Sequence, residues 1–495
     1  MELEAVIGLE VHVQLKTKSK MFCRCDNRDD QPPNTAICPI CTAQPGTLPL
    51  PNQQAINWAI MVALAIGCKI NQESKFDRKN YFYPDLPKGY QISQYDKPFG
   101  YAGSLTMPVD GQTKTFRIHR IHLEEDAGKL LHTTDGRHSL IDLNRAGTPL
   151  LEIVTEPDFR TPAEAKSFLQ ELKLMMRYLG VSDADMEKGH LRCDANVSLR
   201  PKGDDKLYPK TEVKNMNSFR AVERALAYEI ERLTGLWEDG QPPKTSSTHG
   251  WDEVAGKTVE QRIKEEASDY RYFPEPDIPP VVTTDEKLAQ LQVALPELPA
   301  QRRDRFQRLY QLSAADAASL VSDKLLSEYF EEVVSEFRAY AEAEQGVELT
   351  ARSWESDKAK VCKLIANWLL NRISVEHRTA HGLPVPAPDL ARLLWMVYRQ
   401  YVNLPAATEI YEHMRLTKKG PHQLVKELGL EQVSDARVIE TAVKDVIAAN
   451  TKVVADVKNG KAAAMQFLVG QVMKATKGKA NPQLVQQALK KHLGG

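Results

Sequence analysis

The chain has 495 residues, of which 42% are apolar and 26% are charged, and its formal net charge is −1. This composition is typical of a soluble globular protein of roughly three domains. A net charge near zero gives no overall attraction to nucleic acid, so any such binding must be local. The longest apolar run, residues 55–66, is too short to span a bilayer. With no signal pattern at the start, we expect a cytoplasmic protein that does not bind membranes.

The first predicted element is a strand over residues 7–15. Apolar and polar residues alternate strictly here, which predicts a half-buried strand. Its polar face carries Glu10 and His12. Same-face neighbours lie roughly 7 Å apart along a strand, so these two side chains can converge on one ion or phosphate. For this pair alone, a solvated outer face is the alternative interpretation.

Four cysteines follow within a short segment. Cys23, Cys25, Cys38 and Cys41 form a C-x-C and a C-x-x-C pair. In a reducing compartment this spacing indicates a tetrahedral zinc site. Four thiolates leave no position for a substrate, so the zinc would be structural. The alternative is a set of free thiols.

Residues 75–91 combine aromatic and basic side chains, among them Lys79, Tyr81 and Lys88. The prolines and the glycine in this segment predict that it forms no regular structure. The mixture suits stacking on unpaired bases together with phosphate contacts. Aromatic side chains that pin a loop to the core are the alternative.

Strands and two helices are predicted next. Residues 161–164 form a capping box with proline at the first helical position, which predicts a helix ending at Gly180. A second helix is predicted over residues 219–234. Strands are predicted at 104–109, 115–123, 139–143, 150–154, 191–199 and 211–214. Without regular βαβ alternation, this pattern favours an α+β domain with a large antiparallel sheet.

Acidic residues lie on several of these strands: Glu124, Glu125, Glu152, Asp194 and Glu212. Carboxylates with one imidazole form an oxygen-rich set suited to Mg²⁺ or Mn²⁺. Neighbouring strand residues point to opposite faces, so we predict a bulge or strand-end twist that lets Glu124 and Glu125 reach one site.

Magnesium held by carboxylates commonly bridges substrate phosphates, which indicates ATP-dependent chemistry. Lys79, Arg192 and Lys214 could neutralise the phosphates. Because no Walker-type or G-x-G-x-x-G loop is present, a P-loop or Rossmann site is disfavoured.

Beyond residue 293 the pattern is helical. We predict domains at 1–293, 294–415 and 420–495, with an exposed loop at 345–357. Between Thr451 and Gly495, eight lysines face one acid, Asp456, for a net charge of +7. Such a basic tail, with Lys474, Lys477 and Lys479, suits contacts to a nucleic-acid backbone. Lysines that merely solvate terminal helices are the alternative.

Several segments resemble the B subunits of the glutamyl/aspartyl-tRNA amidotransferases, the GatB family. The most specific is residues 141–155, IDLNRAGTPLLEIVT. The similarity extends to residues 7–12, 122–129, 192–198, 212–219, 269–277 and 477–482. The family has a catalytic cradle, a helical domain and a tail that contacts the tRNA body, which agrees with the three segments above.

The resemblance implies ATP-dependent transamidation of misacylated tRNA. GatB proteins activate the glutamate or aspartate carboxylate as an acyl phosphate, and ammonia from a glutaminase, the A subunit, displaces phosphate. A third, small protein, the C subunit, completes the assembly. Motif matches assign Mg²⁺ roles to Glu10, His12, Glu124, Glu125, Glu152 and Glu212, with Asp194 as a further candidate. The loop with Lys79, Tyr81 and Lys88 would lie near the acceptor end and the ammonia exit. The four-cysteine zinc site occurs in some members of the family.

Two rival functions remain. One is a zinc-bearing RNA-binding scaffold without chemistry of its own. The other is a metal-dependent phosphohydrolase, which would release phosphate without charged tRNA or an ammonia source.

Overall fold

The computed structural model describes residues 2–28, 30–264, 270–345, 351–373, 382–431, 436–458, 461–476, 480 and 482–493. The chain folds into two compact units, Met1–Ala300 and Gln301–Gly495. The predicted three-domain division stays a prediction.

The first unit contains the strands and the first four helices. Its strands are β1 (Leu3–Gln14), β2 (Lys69–Ile70), β3 (Glu73–Ser74), β4 (Asp77–Asn80), β5 (Tyr90–Ser93), β6 (Gly100–Val109), β7 (Gln112–Glu125), β8 (Lys129–His132), β9 (Ser139–Asp142), β10 (Pro149–Thr155), β11 (Leu191–Pro201), β12 (Thr211–Lys214), β13 (Ser246–Asp252), β14 (Lys257–Lys264), β15 (Phe273–Pro274) and β16 (Val281–Val282). The helices are α1 (Gln53–Ala65), α2 (Pro162–Leu179), α3 (Phe219–Glu238) and α4 (Asp285–Val293).

Nine of the described strands form one sheet in the order β14-β13-β12-β11-β1-β10-β7-β6-β2. Its neighbours are antiparallel except β12 and β13, which are parallel. A parallel pair needs a crossover connection, and α3 lies between these two strands in the chain. The predicted α+β class is confirmed, and the sheet is mixed rather than purely antiparallel.

Strand β1 lies at the centre of this sheet, between β10 and β11. Its alternating sequence produces two different faces. Ile7, Val11 and Val13 have no exposed surface and belong to a core that also contains residues of α1, α2 and α3. Glu10 and His12 point to the opposite face and are half-buried. The hydrophobic face therefore fixes the register that places the polar residues.

Helix α2 has the predicted capping box. The Thr161 hydroxyl accepts from the Glu164 backbone N–H at 3.2 Å, and the Glu164 carboxylate accepts from the Thr161 N–H, also at 3.2 Å. The helix ends at Gly180 in the left-handed region, with φ of 71°. These paired caps satisfy backbone groups that the helix itself leaves open.

The aromatic and basic segment is partly regular. The prediction of no regular structure is wrong at both ends of residues 75–91, where β4 and β5 pair. Strand β15 joins them at the edge of a three-stranded sheet in the order β15-β4-β5. The edge position suits Pro274, which has no N–H to donate.

The remaining elements are helices: α5 (Pro299–Tyr310), α6 (Ala314–Val321), α7 (Lys324–Gln345), α8 (Ala351–Arg372), α9 (Ala387–Tyr398), α10 (Leu404–Thr417), α11 (Pro421–Leu428), α12 (Ala436–Ala449), α13 (Thr451–Lys458), α14 (Ala462–Ala475) and α15 (Pro482–Leu493). The predicted exposed loop at 345–357 is wrong from residue 351 onward, because α8 begins there and buries Trp354. Residues 346–350 lie outside the described part of the chain.

The last helices have a core of their own, which includes Ile439, Val443, Leu468 and Leu489. Lys474 lies exposed near the end of α14. Lys477 and Lys479 fall outside the described residues. Among the described helices, none is long and apolar enough to cross a membrane.

Candidate functional site

A row of polar side chains crosses three neighbouring strands at the middle of the sheet. His12 on β1 lies opposite Glu152 on β10, and Glu152 lies opposite His122 on β7. Residues opposite each other on neighbouring strands point to the same face. Glu10 and Glu124 lie two positions along their own strands from His12 and His122, so they join the same face.

These five side chains form two triads that share Glu152. The Glu152 carboxylate lies 3.4 Å from His12 Nε2 and 3.1 Å from His122 Nε2. His122 Nε2 also lies 3.7 Å from Glu124. His12 Nε2 lies 3.8 Å from Glu10. In each triad, one donor atom from every residue lies within 4.8 Å of the others. We call this group of Glu10, His12, His122, Glu124 and Glu152 the acid–imidazole cluster.

Charges within the acid–imidazole cluster shift its pKa values. Burial alone would raise the pKa of Glu152, but His122 and His12 more than offset it and hold that pKa well below its usual value. Burial alone would lower the pKa of His12, whereas its hydrogen bond to Glu152 and the surrounding carboxylates raise it to about 9. Burial and the charge of Glu152 raise the pKa of Glu10. The cluster thus needs positive charge, which protons supply when no metal is bound.

Lys79 on β4 supplies a further positive charge at this cluster. Burial alone would lower its pKa, but Glu124 and Glu152 raise it, so the ammonium group stays charged. Its Nζ atom lies 5.2 Å from the centre of the Tyr270 ring. A cation held against buried carboxylates and an aromatic face is well placed to attract a phosphate.

In the aromatic loop that follows Lys79, Tyr81 makes contacts within the protein, whereas Phe82 and Tyr83 are exposed. The Tyr81 hydroxyl donates to Gln91 at 3.0 Å, and its ring contacts those of Tyr83 and Tyr270. Phe82 and Tyr83 are 80% and 63% exposed. Tyr81 therefore anchors the loop to its neighbours, as the alternative interpretation predicts. The exposed Phe82 and Tyr83 rings remain accessible to a ligand.

The donor set of the acid–imidazole cluster fits a divalent cation. Three carboxylates and two imidazoles converge, and the buried Nδ1 of His122 has no hydrogen-bond partner among the described residues. Carboxylate oxygens, which are the majority of these donors, suit Mg²⁺ and Mn²⁺.

Glu125 does not join this cluster. It points to the other face of β7, where its carboxylate accepts from the Ile92 N–H at 3.0 Å and lies 2.6 Å from Lys88 Nζ. The predicted bulge at Glu124 and Glu125 is wrong, because the register runs without a shift from Glu125 to Arg120. The shift lies farther along, between Val154 and Thr155. Regular alternation therefore separates the two carboxylates.

Asp194 and Glu212 lie farther along the sheet, beyond β1. Lys214 contacts both carboxylates, and its Nζ lies 3.1 Å from Glu212. Arg192 donates to the buried Asp126 at 2.8 Å. Neither acid belongs to the two triads. The predicted phosphate ligands Lys88, Arg192 and Lys214 are thus paired with acids of this chain.

His122 is the cluster member that the sequence analysis missed. The sequence carried a signal for it, because His122 lies in the predicted strand 115–123 and Glu124 directly follows that strand. Two residues that are two positions apart along a strand share a face. The contact with Glu152 depends on strand pairing, which the alternation does not reveal.

The four predicted zinc ligands are close together. One sulfur atom from each of Cys23, Cys25, Cys38 and Cys41 lies within 4.8 Å of the others, and Cys38 and Cys41 are 3.9 Å apart. The ammonium group of the fully buried Lys20 lies 3.7 Å from Cys41 Sγ. This arrangement can hold a tetrahedral ion with sulfur ligands.

Comparison with known proteins supports one family. Residues 5–289 match the GatB/GatE catalytic domain, and residues 347–493 match the GatB domain. The chain is 46% identical to the B subunit of the aspartyl/glutamyl-tRNA(Asn/Gln) amidotransferase of Caldicellulosiruptor saccharolyticus over 500 residues, which covers 100% of this chain and 99% of that protein. It is 47% identical to the protein of the same name from Thermotoga maritima over 507 residues, with 100% of both chains covered. The chain therefore belongs to the GatB family, the B subunits of the aspartyl/glutamyl-tRNA(Asn/Gln) amidotransferases.

Proposed function

We propose that this chain activates the side-chain carboxylate of a misacylated tRNA with ATP, as part of a tRNA-dependent amidotransferase. The substrate is Glu-tRNA(Gln), Asp-tRNA(Asn) or both, and glutamine supplies the nitrogen for carbon–nitrogen ligation in protein synthesis. Family membership supports the transamidation. The observation that supports the ATP-dependent step is the pair of triads that share Glu152 beside Lys79.

Glu10, His12, His122, Glu124 and Glu152 would hold a divalent cation, Mg²⁺ or Mn²⁺. Such an ion, when bound, neutralises phosphate charge and polarises a phosphoryl oxygen. Three other predicted acids lie outside the two triads and would surround the bound ion without belonging to either triad. Lys88 pairs with Glu125, and Lys214 pairs with Asp194 and Glu212.

The chemical problem is to bring two anions together. A carboxylate is a poor electrophile, and its oxygen must attack the terminal phosphate of ATP, which releases ADP. The Lys79 ammonium group, held near Glu124 and Glu152, contributes positive charge where the carboxylate and the phosphate meet. The acyl phosphate then carries a good leaving group.

Ammonia completes the reaction by attacking the carbonyl carbon of the acyl phosphate. The C–N bond forms, inorganic phosphate leaves, and Gln-tRNA(Gln) or Asn-tRNA(Asn) results. Acyl phosphates react readily with water, so the site must exclude water and receive ammonia directly. We therefore propose a stable assembly with a glutaminase (the A subunit) and a small third protein (the C subunit), with ammonia arriving near Lys79, Tyr81 and Lys88.

Two further parts of the chain have supporting roles in this proposal. The four cysteines bind a structural Zn²⁺. The basic tail, with Lys474, Lys477 and Lys479, contacts the tRNA body through its phosphates. Translation with these substrates would take place in the cytoplasm.

The test measures release of inorganic phosphate from ATP by the assembled enzyme, with and without Glu-tRNA(Gln) and with and without glutamine. We expect release to require both the charged tRNA and a divalent cation, and amidated tRNA to form when glutamine is present.

The rival functions give different results in the same assay. A metal-dependent phosphohydrolase would release phosphate without charged tRNA. A scaffold would release none in any condition, and Glu125→Ala would not differ from the parent. Either pattern would overturn the proposal.

A further inference from the structure

Arg120 lies on the face of the sheet that carries the acid–imidazole cluster. It is two positions before His122 on β7, and residues two positions apart on a strand share a face. Its neighbour opposite on β10 is Val154, two positions after Glu152. The Arg120 Nη2 atom lies 4.0 Å from the Glu152 carboxylate. Arg120 is therefore a cation at the edge of the cluster, and the roles proposed above do not include it.

The guanidinium group of Arg120 lacks a close partner within the described part of the chain. Its Nε atom is buried and has no hydrogen-bond partner there. The Glu152 carboxylate, at 4.0 Å, is too distant for a hydrogen bond. The side chain is 27% exposed, so a ligand can reach it. Buried polar groups are almost always hydrogen-bonded, so this Nε–H points to a partner that the chain does not supply.

Arg120 differs from two other cations near the cluster, which are already paired with acids. Arg192 donates to Asp126 at 2.8 Å, and Lys88 Nζ lies 2.6 Å from Glu125. A paired cation must give up its protein partner before it binds a substrate anion, whereas Arg120 need not. A guanidinium group also presents two parallel N–H donors that match the two oxygens of a carboxylate. Arg120 is thus suited to a carboxylate that arrives with the substrate.

Two stacked tyrosines lie near Arg120. The rings of Tyr95 and Tyr272 are parallel within 14°, with centroids 4.5 Å apart. Tyr95 is 51% exposed. Burial raises the pKa of Tyr272 to about 12, and the charge of Arg120 also acts on this hydroxyl, so the two side chains are close in space. An exposed aromatic pair beside a cation suits an unpaired base, such as the one that ends a tRNA.

We propose that Arg120 binds the side-chain carboxylate of the amino acid on the misacylated tRNA, with the terminal base of that tRNA beside Tyr95 and Tyr272. This inference rests on the proposed function and names the residue that distinguishes the charged substrate from the neutral product. A carboxylate oxygen held by Arg120 keeps a second lone pair, with which it can attack the terminal phosphate of ATP as ADP leaves. After amidation, one of the two acceptor oxygens has become an NH₂ group, so Arg120 loses its match.

The test compares two tRNAs that differ only in the charge of the amino acid. The Kd of the assembled enzyme for Glu-tRNA(Gln) and for Gln-tRNA(Gln) is measured by fluorescence anisotropy, in Mg²⁺ and without ATP. We expect the parent to bind Glu-tRNA(Gln) about 10- to 100-fold more tightly, as is typical of one hydrogen-bonded ion pair. Where Asp-tRNA(Asn) is the substrate, it is compared with Asn-tRNA(Asn) in the same way.

Substitutions assign this preference to individual residues. Arg120→Met should remove the preference, and Arg120→Lys, which keeps the charge without the fork, should keep part of it. Arg117→Met is the matched control, because Arg117 lies on the same strand but is exposed and paired with Asp158. Tyr272→Leu should weaken binding of both tRNAs by a similar factor, about 5- to 100-fold, because stacking is lost.

Four results would overturn the assignment. The first is a parent enzyme that binds both tRNAs equally. The second is an equal loss of affinity for both tRNAs in Arg120→Met, which would show a structural role. The third is a raised Kd for a non-hydrolysable ATP analogue in Arg120→Met with the tRNA preference intact, since Arg120 would then bind the nucleotide. The fourth is unchanged tRNA binding in Tyr272→Leu. A parent that releases no phosphate from ATP with charged tRNA would instead refute the proposed function itself.

Discussion

Glu152 lies between two imidazoles, 3.4 Å from His12 and 3.1 Å from His122, although all three residues are far apart in the chain. Strands β1, β10 and β7 bring them together by pairing side by side. The buried Glu152 carboxylate is the member that both triads share.

Glu152→Gln should reduce formation of amidated tRNA by at least about 100-fold, a typical cost of removing one charged group from a preorganised site. The substitution keeps the size of the side chain and removes its negative charge. Glu156→Gln is a matched control, because Glu156 pairs with the exposed His119 outside the cluster. A Glu152→Gln enzyme with parental activity and unchanged metal dependence would contradict the assignment.

Cys38→Ser should abolish binding of one zinc ion per chain and lower the midpoint of thermal unfolding. A structural zinc site contributes directly to folding free energy. The four-cysteine segment also holds the chain just before β10, since Lys20 Nζ donates to the Leu143 carbonyl at 3.3 Å and the Met21 N–H donates to the Gly147 carbonyl at 2.7 Å. Metal content and thermal unfolding with and without a chelator test this. Equal metal content in Cys38→Ser and the parent would refute it.

Lys20→Met should weaken zinc retention by roughly 10-fold or more, as is typical when a group that contacts a ligand is removed. Lys20 is fully buried, and lysine is rarely buried without a partner. A zinc ion with four thiolates has a net charge of −2, and the Lys20 ammonium group beside Cys41 offsets part of it. Competition with a chelator measures the change. Lys18→Met, at an exposed position two residues away, should have no effect.

Glu164→Gln should lower the free energy of unfolding at pH 7 by about 1 kcal/mol, since a charged cap hydrogen bond is lost. Burial alone would raise the pKa of Glu164, but hydrogen bonds from the Arg160 N–H and the Lys114 ammonium group lower it. A carboxyl with a lowered folded-state pKa stabilises the protein above its unfolded pKa, about 4.3, and loses that effect as the pH falls through the folded value. The difference between variant and parent should thus shrink below about pH 4.

Denaturant unfolding at several pH values between 7 and 3 checks this prediction. A difference that stays constant over the whole range would show that packing, rather than charge, is responsible.

Local sequence signals correctly predicted several strands and helices. The alternation over residues 7–15 predicted β1, and the Thr161 to Glu164 capping box predicted the start of α2. The spacing of four cysteines predicted a group that the fold indeed brings together. These signals succeed because each depends on neighbours within a few residues, where backbone geometry sets which side chains share a face.

Other predictions were wrong where contacts between residues distant in the chain determine the secondary structure. Prolines and a glycine in residues 75–91 suggested irregular structure throughout, yet pairing between β4 and β5 made both ends regular. At residues 351–357 the burial of Trp354 and continuation into α8 overrode a polar composition that suggested a loop.

The sequence by itself determined the family and the α+β class, because motifs and periodicity are properties of short segments. Only the tertiary structure decided which acids form one site. It added His122, and it separated Glu125 from Glu124, since an unbroken register sends neighbouring side chains to opposite faces. It also placed Lys214 between Asp194 and Glu212, apart from the triads. Which strands pair, and in what register, depends on burying a common core rather than on any one segment.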